Sequence, residues 1–372
     1  NCFKLYDAAL ALRVPWGKGR SGTLSFLSAG FDARDATVEK WLADNAAFLA
    51  ALRKAQEVPG YDSGFRPTGT PQISPTLMTG LHEAIRLLLV EARNAAQSGR
   101  PDEALEKIGM ALRLAREEGS DATLTGCMIG SAMEDSVLHA LERVLCESEP
   151  GAAAIRATIA RIDRHLAARN TPSAGLRGER VMMWMAWSLL LEGKTSVIQS
   201  LTQKDPGDLL IIGWRLTGAD LKDLRQFDEA YDEALAAAKL PYPAKLGAVR
   251  AVAEKPREPR LVWGKLGSQV LSTWTGVVHG DAKSLAYLQI ARLALGCRLY
   301  KSEKGAYPEK LSALSAAFPD LFAKLPEDPF SGKPFEYART EKGCRVSNVG
   351  ADGKVSGEAK PGLDEVVFEL TR

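Results

Sequence analysis

The chain has little histidine, no paired cysteines and no long apolar run. Only 4 histidines occur in 372 residues. His82-Glu83 opens a His-Glu-x-x-His pattern, but Arg86 stands at the second ligand position, which excludes a zinc-protease helix. The 5 cysteines include no Cys-x-x-Cys pair, which removes zinc ribbons and a disulfide-scaffolded fold. The longest nearly unbroken apolar run, Val181 to Leu191, covers 11 residues between Arg180 and Glu192. A membrane span needs about 20, so this run reads as a buried helix. A formal net charge of +2 with no dense Lys/Arg cluster excludes a broad basic field for nucleic acid. Nucleotide and acyl-transfer motifs are missing too. Gly193-Lys194-Thr195-Ser196 imitates the end of a phosphate-binding loop, but Ser188 occupies the place of its first glycine, and no Gly-x-Ser-x-Gly elbow exists.

What is present is helix. The composition, 45% apolar and 25% charged, suits a globular chain of two or three domains. Ala36 to Ala55 carries Val38, Leu42, Phe48, Leu49 and Leu52, and Val58 to Pro75 is too rich in proline and glycine for regular structure. Leu77, Leu81, Ala84, Leu88, Ala92 and Ala95 then form a stripe with helical spacing. Gly99 stops that helix, and Pro101 with Asp102 and Glu103 starts the next, whose apolar positions are Leu105, Ile108, Leu112 and Ala115. Helices are also expected at 122–146, 152–168 and 176–191, so that residues 76–192 hold five antiparallel helices and no strand. Within them, Asp135 and His139 share a face at a spacing of four, Glu179 serves its own helix start, and Trp184, Trp187, Met182, Met183 and Met185 fill a core or offer an adaptable surface.

The last quarter carries Gly305-Ala306-Tyr307-Pro308, Leu325-Pro326-Glu327-Asp328-Pro329 and Gly350-Ala351-Asp352-Gly353. This series resembles the extracytoplasmic domain of the major pseudopilin of type II secretion systems. The pair of helices joined by Gly-Arg-Pro-Asp-Glu-Ala-Leu resembles one tetratricopeptide hairpin, with a weaker echo at Arg225–Ala230. Residues 76–192 are similar to the body of membrane-anchored bacterial proteins ending in the same tail. The resemblance implies an address in the cell envelope, on the periplasmic side, with a membrane anchor or signal upstream of Asn1. It also implies calcium in the tail, held by Asp352 at the motif's aspartate and by Asp364. Their separation and the intervening Lys354 and Lys360 depart from the family's loop, so a metal-free hydrogen-bonded loop is the other reading.

The sequence therefore predicts a mainly α protein: an antiparallel helical-hairpin domain over 1–280, partly tetratricopeptide-like, and a small α+β pseudopilin-like module over 281–372. In the module a long helix should cross strands at 335–338, 344–349 and 365–370, with Cys297 and Cys344 facing one core as free thiols or as a disulfide. The expected function is non-enzymatic protein interaction or scaffolding in the envelope, linked to secretion or pilus-like machinery, with protein partners and no nucleic acid. The alternative is an envelope hydrolase with its active site in the helical domain.

Overall fold

The computed structural model describes residues 2–15, 36–61, 75–120, 123–192, 216–256, 263–350 and 365–371. The helices are α1 (Phe3–Leu10), α2 (Ala36–Asp44), α3 (Ala46–Gln56), α4 (Pro75–Gln97), α5 (Pro101–Glu118), α6 (Leu124–Glu147), α7 (Ala152–Ala168), α8 (Pro172–Leu191), α9 (Ala219–Ala238), α10 (Ala244–Glu254), α11 (Trp263–Lys304) and α12 (Ser312–Ala317). Strands β1 (Glu336–Arg339), β2 (Cys344–Ser347) and β3 (Val367–Leu370) form one antiparallel sheet in that order. The protein is thus mainly helical, with a small sheet near its C-terminus, as the pattern of the sequence predicts. No helix among the described residues is long and apolar enough to cross a membrane.

Between residues 75 and 191 the described residues form five helices and no strand. Gly99 adopts φ +75°, and the Arg100 N–H returns to the Ala95 carbonyl at 2.9 Å, so the chain reverses before Pro101 begins α5. From Leu81 to Ala95 the α4 stripe is buried, but so are Leu87, Leu89 and Val90. The cause is crowding: α4 packs against α1, α2, α3, α5 and α6, which leaves it little outer face. Tyr6 fastens α1 by donating to Glu117 at 2.6 Å.

Two apolar clusters result. One joins α1 to α7, the later part of α11, α12 and the C-terminal sheet. The other gathers the start of α6 with α8, α9, α10 and the Leu271–Val278 part of α11. The 280/281 boundary drawn from the sequence falls inside α11, which at 42 residues is about 63 Å long and serves both clusters.

In the tail, Gly305 at φ +82° closes α11, and Asp328 is buried where it accepts from the Phe330 N–H at 2.9 Å, Ser331 Oγ at 2.8 Å and the Val349 N–H at 3.3 Å. The strands begin and end within two residues of the expected ones. Cys297 and Cys344 are free thiols, fully buried, and hydrogen-bonded to each other. Edge strand β3 is covered by α6, where Glu142 accepts from the Glu369 N–H at 2.8 Å.

Two local expectations change. Glu179 lies beyond the first turn of α8, which starts at Pro172, and its carboxylate accepts from the Leu124 N–H at 3.1 Å. It therefore serves the start of α6, where first-turn amides lack helical partners. The Trp/Met cluster divides: Met182, Met183 and Trp187 are buried, whereas Trp184 is half exposed and donates to Asp228 at 2.9 Å. Asp352, Asp364 and Gly193–Ser196 lie outside the described residues.

Candidate functional site

Three helices bring their basic side chains to one cleft. Arg53 comes from α3, Lys107, Arg113 and Arg116 from α5, and Arg161 and Arg164 from α7. The cleft measures about 740 Å³ and, among the described residues, holds only two carboxylates in its lining, Glu57 and Glu106. Among the described residues no tryptophan, tyrosine or phenylalanine lines it, and these residues offer no surface on which a base or a sugar ring could stack.

The cations differ in how far they are already committed. Arg113 is held by Glu117 at 2.7 Å and by the Gln56 and Val58 carbonyls at the end of α3. Arg53 pairs with Glu91, and the buried Lys107 reaches Glu103 at 3.7 Å. Arg116 comes no closer than 3.9 Å to Glu117. Among the described residues, Arg161 and Arg164 have no carboxylate within ion-pair distance. Arg161 lies over Gly109, where a Cβ would stand 2.5 Å from its Cδ, so the missing side chain makes room for the guanidinium.

At the inner wall of the cleft stands His165, only 2% exposed. Its Nε2 meets Glu134 Oε1 at 2.7 Å, while its buried Nδ1 has no hydrogen-bond partner. Behind it lies a buried polar network at the meeting of the two apolar clusters. Arg169 grips Glu134 through Nε at 3.0 Å and Nη2 at 2.8 Å, and turns Nη1 to Asp281. Tyr242 donates to Asp281 Oδ2 at 2.6 Å, and Ser284 donates to Glu134 Oε2. Burial pushes the Glu134 carboxyl up, but Arg169 and His165 outweigh it and hold the group at about 2. Burial pushes the Tyr242 hydroxyl up, and Asp281 pushes it further. A gap of about 20 Å³ beside Glu134 and Arg169 is large enough for one water molecule.

Ser284 donates to Glu134 rather than to His165, and a carboxylate held at about 2 is too weak a base to activate the hydroxyl. Burial raises the nearby Cys127 thiol to about 12, which keeps it from being a nucleophile. On the next turns of α6, His139 turns its Nδ1 to the Tyr287 hydroxyl. Burial pushes Asp135 up to about 6 and Glu142 to about 7. At the His82-Glu83 motif, His82 lies 3.3 Å from Glu118 and Glu83 pairs with Arg13 at 3.2 Å. Among the described residues no three metal-ligating side chains come together.

None of the cleft residues stands out in the sequence. Their signal is divided among three helices, each carrying an ordinary number of charges, and only Arg113/Arg116 and Arg161/Arg164 form local pairs at a spacing of three. Comparison with family models, curated proteins and solved structures returns no match.

Proposed function

We propose that this protein is an interaction protein whose α3–α5–α7 cleft receives an acidic segment of a partner protein. The excess of six cations over two carboxylates carries this reading. Arginines predominate, and their planar forks match carboxylates in pairs. The volume lies in the range of well-formed ligand sites, and the absence of aromatic side chains among the described lining residues speaks against nucleotides and sugars. None of the segments between or beside the described residues has more than one net negative charge, so none of them suits the cleft. A serine- or cysteine-dependent hydrolase would need a nucleophile beside a base, and the network behind His165 does not supply that pair.

The tail's resemblance to pseudopilins supports placing this activity in the bacterial envelope. Calcium at Asp352 and Asp364 belongs to the same reading, and a chelator-dependent fall in the melting temperature of the full chain would test it.

The cleft is tested by fluorescence anisotropy with a labelled, terminally blocked hexaglutamate. The wild type should bind it, added salt should weaken the binding, and hexalysine should fail. Arg161→Glu with Arg164→Glu should weaken it about tenfold or more. Equal affinity of the double variant and wild type would remove the cleft as the site.

A further inference from the structure

We infer that Gly109 is a positioning residue of this cleft: its missing side chain seats Arg161 against α5, so that the guanidinium is set in place before an acidic segment arrives. This rests on the cleft being the binding site, and it adds to that reading a residue that acts through Arg161.

Gly109 lies in the middle of α5, where glycine is less favourable than alanine because it leaves the unfolded backbone more freedom. Its own backbone is helical and does not call for a glycine. Its surroundings do. A Cβ at this position would stand 2.5 Å from Arg161 Cδ, 3.1 Å from Nε and 3.2 Å from Nη1. A contact below 3.0 Å forces a shift, so an alanine would displace the arginine. The three nearest atoms all belong to that one side chain. Gly119, just past α5, is different. There a Cβ would meet Gly130 Cα at 3.0 Å and two backbone carbonyls at 3.5 Å, so that glycine lets two helices approach. Gly109 instead admits a cation from α7, and it lines the cleft on the same face of α5 as Arg113 and Arg116.

Arg161 is half-buried, and among the described residues it makes no hydrogen bond or ion pair. Arg113 and Arg53, by contrast, are already held by Glu117 and Glu91. A guanidinium partly withdrawn from water and lacking an acceptor gains from an arriving carboxylate, which takes its planar fork in charge-assisted bonds. A long side chain loses rotamer freedom when it binds, and one already seated loses less. Arg164, one turn along α7, is exposed.

The test is a double-mutant cycle on the full chain, read by anisotropy with blocked hexaglutamate, using Gly109→Ala, Arg161→Ala and the pair. Gly109→Ala removes no charge, yet it should weaken binding about threefold to tenfold. In the Arg161→Ala background the same change should have no further effect. The melting temperature of Gly109→Ala should equal or exceed that of wild type, because α5 gains a better helix former and only a side chain moves. In the ligand-free wild type, ¹⁵N relaxation should find the Arg161 Nε–H ordered and that of Arg164 mobile. Wild-type affinity in Gly109→Ala, or an equal loss in both backgrounds, would overturn the inference. So would a fall in melting temperature, which would assign the glycine to the packing of α5, or equal mobility of the two arginines. Each of these results leaves the cleft reading in place. Failure of the wild type to bind hexaglutamate would overturn both.

Discussion

Two glutamates on neighbouring helices, both almost withdrawn from water, have opposite fates. Glu134 of α6 is met by His165, Arg169 and Ser284, and its carboxyl is held at about 2. Neither oxygen of Glu118, at the end of α5, has a hydrogen bond; His82 Nδ1 lies 3.3 Å away without alignment. Burial raises that carboxyl to about 8, with Arg86 offsetting only part of the effect. The difference teaches that burial sets the cost of a charge, while the number and aim of its donors decide whether it is kept. Glu134 behaves as a fixed anion around which two apolar clusters meet. Glu118 behaves as a neutral acid below pH 8.

The largest effect expected from this contrast is at Glu134. Glu134→Ala strands Arg169 and His165 in the interior and should cost about 3–5 kcal/mol, read by denaturant unfolding at neutral pH. A loss below 1 kcal/mol would place the network in water and end the comparison. The pH dependence should differ as well. The Glu134 group binds fewer protons folded than unfolded, so its stabilisation is full above its ordinary 4.5 and disappears as pH falls toward 2.

Glu118 should show the reverse sign. Its folded value lies above its ordinary 4.5, so stability is full below 4.5 and is lost as pH rises through about 8. Glu118→Gln removes that loss. The variant should match wild type near pH 4 and exceed it near pH 9 by on the order of 2–3 kcal/mol, seen as a divergence of the two stability curves. Parallel curves would mean that Glu118 stays ionised with a partner.

The smallest effect tests how much of the network matters. Tyr242→Phe removes one donor to Asp281 while Arg169 remains, and should cost about 1 kcal/mol. A cost equal to that of Glu134→Ala would make the network one cooperative unit rather than a set of separate contacts.

Much of the fold was legible because its determinants are local. The spacing of Leu81, Ala84, Leu88, Ala92 and Ala95 can bury one face only as a helix. Gly99 permits the φ of +75° that ends it. The alternation of Cys344 and Val346, both buried, fits a strand with one face against α11. The burial of Leu87, Leu89 and Val90 was not legible, because it depends on how many helices surround α4.

The candidate site was almost wholly illegible for the same reason. Glu118 and Glu134 look alike in the chain, each an acid in an amphipathic helix. Their states depend on donors that the fold either brings or withholds, and those of Glu134 come from positions 31, 35 and 150 residues away. The basic cleft is likewise a sum over α3, α5 and α7, none of which is unusually basic alone. The sequence by itself determined the helices, their ends and the strands of the tail, since backbone propensity and hydrophobic period act over a few residues. Only the tertiary structure decided which charges meet, because Coulomb and hydrogen-bond energies depend on distance in space and burial, not on distance along the chain.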